Sequence, residues 1–217
     1  MSSGALVELA AAGPQDQVDG GDGLFAPSWK PTANFSRAPK VAALEGNPDF
    51  GGRRCSVRVP QDGDLLHRAY LRVRLPRLSG TAATGGVRWV KHPGHSLVRR
   101  VSLSIGEQTV VEHTGEWLAV YADLRDSGVP HMRLIGGEGL DLDRCLPEHG
   151  ELLLYVPLKF FFCVDLCNAL PMVALRYHAV RLAFDFRDFH DMYETEVPGA
   201  RLESEASLLA AEVVLDW

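Results

Sequence analysis

Few residue groups in this chain have both the type and the spacing to do chemistry. His92 and His95, in "KHPGH", offer two imidazoles. Imidazole ligation of a metal needs several converging groups and not two neighbours. Here two residues separate the histidines and Glu107 is distant, so the pair is predicted to be loop histidines without a metal. Cys163 and Cys167 are four apart in an apolar segment and would share a face only on an unbroken strand. With no second Cys or His pair at ligand spacing, buried thiols are predicted and no zinc site. Ser96 in "GHSLV" lacks the second glycine of a nucleophile elbow, and a strand follows where the elbow needs a helix. The glycines of "GGDG" (20–23) and "IGGEG" (135–139) lack the lysine and strand-to-helix context of a phosphate loop and read as turns. Asp141 with Asp143, and Glu203 with Glu205, sit in polar stretches where charge serves solvation. No catalytic, cofactor-binding or metal-binding residue is assigned. The expectation is a protein that is not an enzyme and carries no cofactor.

Composition points the same way. The chain has 217 residues, 46% hydrophobic and 23% charged, enough to bury a core as one large domain. Its formal charge of −6 argues against direct nucleic-acid contact through phosphate neutralisation. The local arginine clusters (Arg53, Arg54; Arg68, Arg72, Arg74, Arg77; Arg99, Arg100) read as solvated strand faces or partners for acidic neighbours. The start, "MSSGALVELAAAGPQD", has no basic region and its apolar stretch is broken by Glu8, so no signal peptide is expected. No run reaches membrane-spanning length. Four cysteines (Cys55, Cys145, Cys163, Cys167) in a domain of this size predict reduced thiols and a cytosolic folding compartment.

The elements that would position any site are strands. Residues 1–36 read as an amino-terminal arm, its stretch 13–36 rich in Gly, Pro and Asp, and 37–217 as one domain. Cys55, Val57 and Val59 alternate with Ser56 and Arg58. Leu65, Ala69, Leu71, Val73 and Leu75 alternate with Arg68, Tyr70, Arg72 and Arg74, after a "QDGD" turn in which Gly63 is free to take positive φ. Val101, Leu103 and Ile105 lead into Gly106-Glu107, a two-residue hairpin loop of type II′, and a returning strand from Thr109. From Thr114 as N-cap, Trp117, Val120, Tyr121 and Leu124 fall at i, i+3, i+4 and i+7, the apolar stripe of one helix, with Glu116 in its first turn. Residues 125–150 read as a long loop. In "ELLLYVPLKFFFCVDL" the interior Pro157 forces an edge, a bend or a break. Val180, Leu182, Phe184 and Phe186 point inward while Arg181, Asp185 and Arg187 point outward. Leu209, Ala211, Val213, Leu215 and Trp217 share the inner face of the last strand. The fold expected is all-β: a single eight-stranded jelly-roll sandwich with one short embedded helix, its strand order unread.

The succession "NPDFG", "QDGDLLHRAYLRVRLP", "RWVKHPGHSLVRRVSLSIGEQTVVEHTGEWLAVYADL" and "LYVPLKFFFCVDLCNALPMVALRYHAVRLAFDF" resembles the amino-terminal half of the major capsid protein of the large nucleocytoplasmic DNA viruses, from about Asn34 to the carboxyl end. That resemblance implies a structural virion protein. Members carry two consecutive jelly rolls and form homotrimers that act as pseudo-hexagonal capsomers of an icosahedral shell over an internal membrane. It implies partnership with itself and other capsid proteins, a place in the virion capsid, assembly in host cytoplasm, and contact with the membrane only through neighbouring proteins. The helix of "GEWLAVY" would be architectural, packing Trp117 and Tyr121 against the sandwich. The arm keeps "QD", "LF" and "TANF" but has "VDGGDG" where the family is apolar. The sequence ends at Asp216-Trp217, where the family's first jelly roll hands over to the second. The expectation is therefore a truncated or split product, or a single-domain paralogue with a minor capsid or scaffold role. Two readings from other classes stand beside it: a jelly-roll carbohydrate-binding module using exposed aromatics such as Trp29 or Trp89, and a metalloenzyme of cupin type.

Overall fold

Alternating burial is the first thing the structure makes physical. The computed structural model describes residues 36–52, 54–78, 87–125, 128–136, 151–175, 177–195, 197, 200, 202 and 206–217. Ala38–Trp217 make one compact unit. Its strands are β1 (Pro39–Ala43), β2 (Cys55–Arg58), β3 (Leu65–Leu66), β4 (Arg68–Leu75), β5 (Val87–Trp89), β6 (Val98–Ile105), β7 (Gln108–Thr114), β8 (Leu152–Pro157), β9 (Leu170–Pro171), β10 (Val180–Phe186), β11 (Tyr193–Thr195) and β12 (Ala210–Asp216). In β4, Ala69, Leu71, Val73 and Leu75 are buried while the intervening residues are wet, and β10 buries Val180, Leu182, Phe184 and Phe186. Period two turns each strand into a one-sided surface that must be covered.

Two four-stranded antiparallel sheets cover each other. One runs β1-β12-β4-β8 and the other β2-β10-β6-β7, with β11-β5 and β3-β9 as two-stranded ribbons. Along the chain these sheet strands alternate between the two layers, except at the β6–β7 hairpin. The first strand lies beside the last and the second beside the seventh, which is jelly-roll order. Register aligns the greasy positions across each sheet: Val156 and Val213 flank Leu71, and Leu154 and Ala211 flank Val73. In the opposite layer Leu182 faces Leu103 and Phe184 faces Val101. These residues belong to one continuous core cluster. Each Val, Leu or Phe among them contributes about 1.5–3 kcal/mol on burial.

Local chemistry sets the ends. Pro157 closes β8 at a sheet edge, as a residue with no N–H to donate requires. Gly106 takes φ 65° in the two-residue loop joining β6 to β7. Four expectations are overturned. Three α-helices are described, not one: α1 (Pro93–Leu97), α2 (Gly115–Arg125) and α3 (Val129–Ile135). For α3 the Pro and Gly of the supposed loop are helix punctuation, with Pro in the first turn and Gly136 as a left-handed C-cap at φ 81°. Leu65 is exposed and Leu66 takes the inward place, because the strand breaks at His67. Leu209 is exposed too, lying just before β12. Gly63 does not take positive φ; a Cβ there would sit 2.8 Å from the Trp217 ring, so glycine is needed for close approach.

Candidate functional site

The histidines of "KHPGH" lie at the start of α1, which the sequence pattern had read as loop. His92 adopts the left-handed conformation at φ 54° and caps the helix, with Pro93 at its first turn. His95 is 3% exposed, and its ring centroid lies 5.8 Å from that of His131 on α3. Burial lowers the His95 imidazole to about 4, with His131, His92 and Lys159 adding repulsion. Its chemistry is that of a neutral packed ring. Among the described residues no three His, Cys, Asp or Glu side chains converge as a metal would need.

Cys163 and Cys167 occupy two successive 3₁₀ turns, Phe161–Cys163 and Leu166–Asn168, so no shared strand face exists. Burial raises the Cys163 thiol to about 11, outweighing the Ala69 and Phe160 backbone hydrogen bonds and the nearby Lys159 and Arg68 charges. It is inert at neutral pH. Cys167 is exposed, which corrects the expectation of buried thiols for that residue. Cys55 is fully buried. The Ser96 hydroxyl donates to the Lys91 carbonyl at 3.3 Å, and its helix precedes the strand, the reverse of an elbow.

The arginines behave largely as charged strand faces. Arg72 sits opposite Glu212 and bonds it, Arg88 meets Glu194 at 2.8 Å across the β5–β11 ribbon, and Arg100 reaches Glu112 at 3.3 Å. Such partly exposed pairs contribute about 0–1 kcal/mol each and fix register more than stability. Trp89 is 3% exposed, ringed by Phe50 and Phe189 at 6.1 and 6.3 Å, and so cannot offer the carbohydrate platform considered for it. Trp29, Arg53, Cys145, Asp141, Asp143, Glu203, Glu205 and "GGDG" lie outside the described residues, as does all of "IGGEG" after Gly136.

What the molecule does present is the outer face of α2. Thr114 Oγ1 accepts the Trp117 amide at 3.3 Å, the N-cap expected of it, and Glu116 in the first turn pairs with Arg187. The helix is rotated, however, from the predicted orientation. Gly115, Leu118 and Ala122 face the core, while Trp117, Val120 and Leu124 are 38%, 57% and 80% exposed. Consecutive residues project about 100° apart, so inserting Leu118 turns Trp117 outward. The cause is the close approach at Gly115, where a Cβ would collide with the Val98 and His95 carbonyl oxygens. Trp117 lies flat on His113 at 3.9 Å and touches Tyr121 at 5.1 Å, forming an outward aromatic ledge. No periodicity in the sequence distinguishes this stripe from a core stripe.

Comparison with known proteins interprets the sandwich. Residues 23–208 match the family described as the major capsid protein N-terminus. The chain belongs to the major capsid protein family. It is 28% identical over 220 residues to the major capsid protein of Phaeocystis pouchetii virus, covering 87% of this chain and 42% of that protein. It is 30% identical over 187 residues to the major capsid protein of Frog virus 3 (isolate Goorha), covering 77% and 40%. This capsid-family chain therefore spans about two fifths of the length of these relatives. Its fold superposes on the PBCV-1 virus capsid with a TM-score of 0.71 at 24% identity, over 89% of this chain and 44% of that one. For the Faustovirus major capsid protein the TM-score is 0.63 at 14% identity, over 89% and 56%.

Proposed function

We propose that this chain is a structural capsid protein: a jelly-roll brick that assembles with copies of itself as a homotrimer, and with other capsid proteins, into an icosahedral virion shell. The reading includes assembly in host cytoplasm, no direct contact with nucleic acid, and membrane contact only through neighbouring proteins. It includes no catalytic role and no cofactor. The observation that carries it is the two-layer strand order together with the family match over residues 23–208. The physical logic is that of a wall unit. A sandwich whose strands are hydrogen-bonded into two four-stranded sheets has a rigid body, and its helical end leaves apolar side chains in water. Exposed apolar surface of that kind is what subunit contacts cover.

Size-exclusion chromatography with light scattering on the purified chain tests the reading. A mass of three chains is expected. A strictly monomeric, well-folded chain that never enters purified particles would overturn it.

A further inference from the structure

Between α2, α3 and the β4–β8 edge lies a cleft of about 480 Å³ that the capsid reading does not use. Cationic side chains reach it from three separate elements: Arg68 at the start of β4, Arg125 at the end of α2, and Lys159 just beyond β8. His131 on α3 adds an imidazole, and among the described residues Asp165 is the one carboxylate on the wall. Among the described residues neither Arg68 nor Arg125 forms an ion pair, whereas Arg72, Arg74, Arg88, Arg100 and Arg187 each bond a glutamate. The Lys159 ammonium stands 5.5 Å over the Tyr121 ring, which fixes its position at the wall.

This cationic grouping stands out in a chain whose overall net charge is −6. Among the described residues, three cations against one carboxylate in a concave, partly apolar cleft focus positive potential inward and concentrate anions there. Guanidinium forks match phosphate oxygens two at a time, and an ammonium adds a point charge. The volume lies within the range of small-molecule sites and is far larger than one ion requires. Leu134 and Val164 supply apolar wall for the body that bears the charge.

We propose that this cleft binds a small anion carrying more than one phosphate group. Phosphate is favoured over a lone carboxylate because three cations from separate elements can meet several oxygens at once. Every residue named belongs to one chain, so binding can be read apart from the mass of the assembly.

The test is isothermal titration of the full chain with inorganic tripolyphosphate at low salt, repeated at raised salt. Saturable binding at one site per chain is expected, weakening as salt rises. The double variant Arg68→Gln, Arg125→Gln should bind at least about tenfold more weakly, the effect of losing charge-assisted contacts, with an unchanged melting temperature. Arg181→Gln, on the opposite sheet, should bind like the parent chain. Absence of binding at millimolar tripolyphosphate, unaltered affinity in the double variant, or an equal loss in Arg181→Gln would each overturn the proposal.

Discussion

Lowering the pH should loosen this sandwich through His95 more than through any surface charge. The ring is 3% exposed, and burial beside His131, His92 and Lys159 lowers its pKa from 6.5 to about 4. The unfolded chain therefore binds a proton that the folded chain refuses. Stability contributed by the neutral ring is complete above 6.5, falls as pH drops through 6.5 toward 4, and is fully lost below the folded value. For a single site with these two values the loss is about 2 kcal/mol at pH 5 and about 3 kcal/mol at pH 4, relative to pH 7. Urea unfolding followed by tryptophan fluorescence at pH 7 and pH 5 measures it, on the parent chain and on His95→Gln. Glutamine cannot be protonated, so other groups, including His113, whose pKa burial also lowers, cancel in the comparison. The parent's stability advantage over the variant should shrink by about 2 kcal/mol at pH 5. An advantage that is the same at both pH values would refute the assignment of His95 as a buried neutral ring.

Three further outcomes follow from the packing. Phe184→Ala, at a fully buried position opposite Val101, should cost about 3–5 kcal/mol in urea unfolding, and a variant melting like the parent would sink the inward assignment of β10. Gly115→Ala should cost at least about 2 kcal/mol, because its methyl group lands on the Val98 and His95 carbonyl oxygens and must push α2 off the sheet; thermal melting reads this. Leu124→Glu, 80% exposed, should change stability by no more than about 0.5 kcal/mol yet lower the mass seen by light scattering, and unfolding of this variant would contradict the outward orientation of α2.

The strands were legible because their cause is local. Alternation of Val180, Leu182, Phe184 and Phe186 with polar neighbours needs only neighbouring residues to declare a two-faced ribbon, and the structure buries those four. Pro157 stops a ladder because it has no N–H, and Gly106 accepts positive φ because it has no Cβ, wherever the rest of the chain lies. The Thr114 cap is equally local, joining residues three apart. Among candidate site residues, the sequence could show only that His92 and His95 stand three positions apart. Their neighbour His131 was not visible there, since it comes from a different helix.

Distance along the chain marks where that legibility ended. The stripe Trp117, Val120, Tyr121 and Leu124 has the spacing of a core face, yet Leu118 and Ala122 took the inside because Gly115 lets the helix lean on the Val98 and His95 backbone. Gly63 looked like a turn residue but answers to Trp217, 154 positions later in the chain. The cleft gathers Arg68, Arg125 and Lys159 from elements with no shared pattern. By itself the sequence determined which side chains alternate, where ladders stop and where helices are capped, because backbone sterics and hydrogen bonding act over a few residues. Only the tertiary structure decided strand order, which face of α2 is covered and which charges meet, because coverage depends on what remote segments bring to the same place.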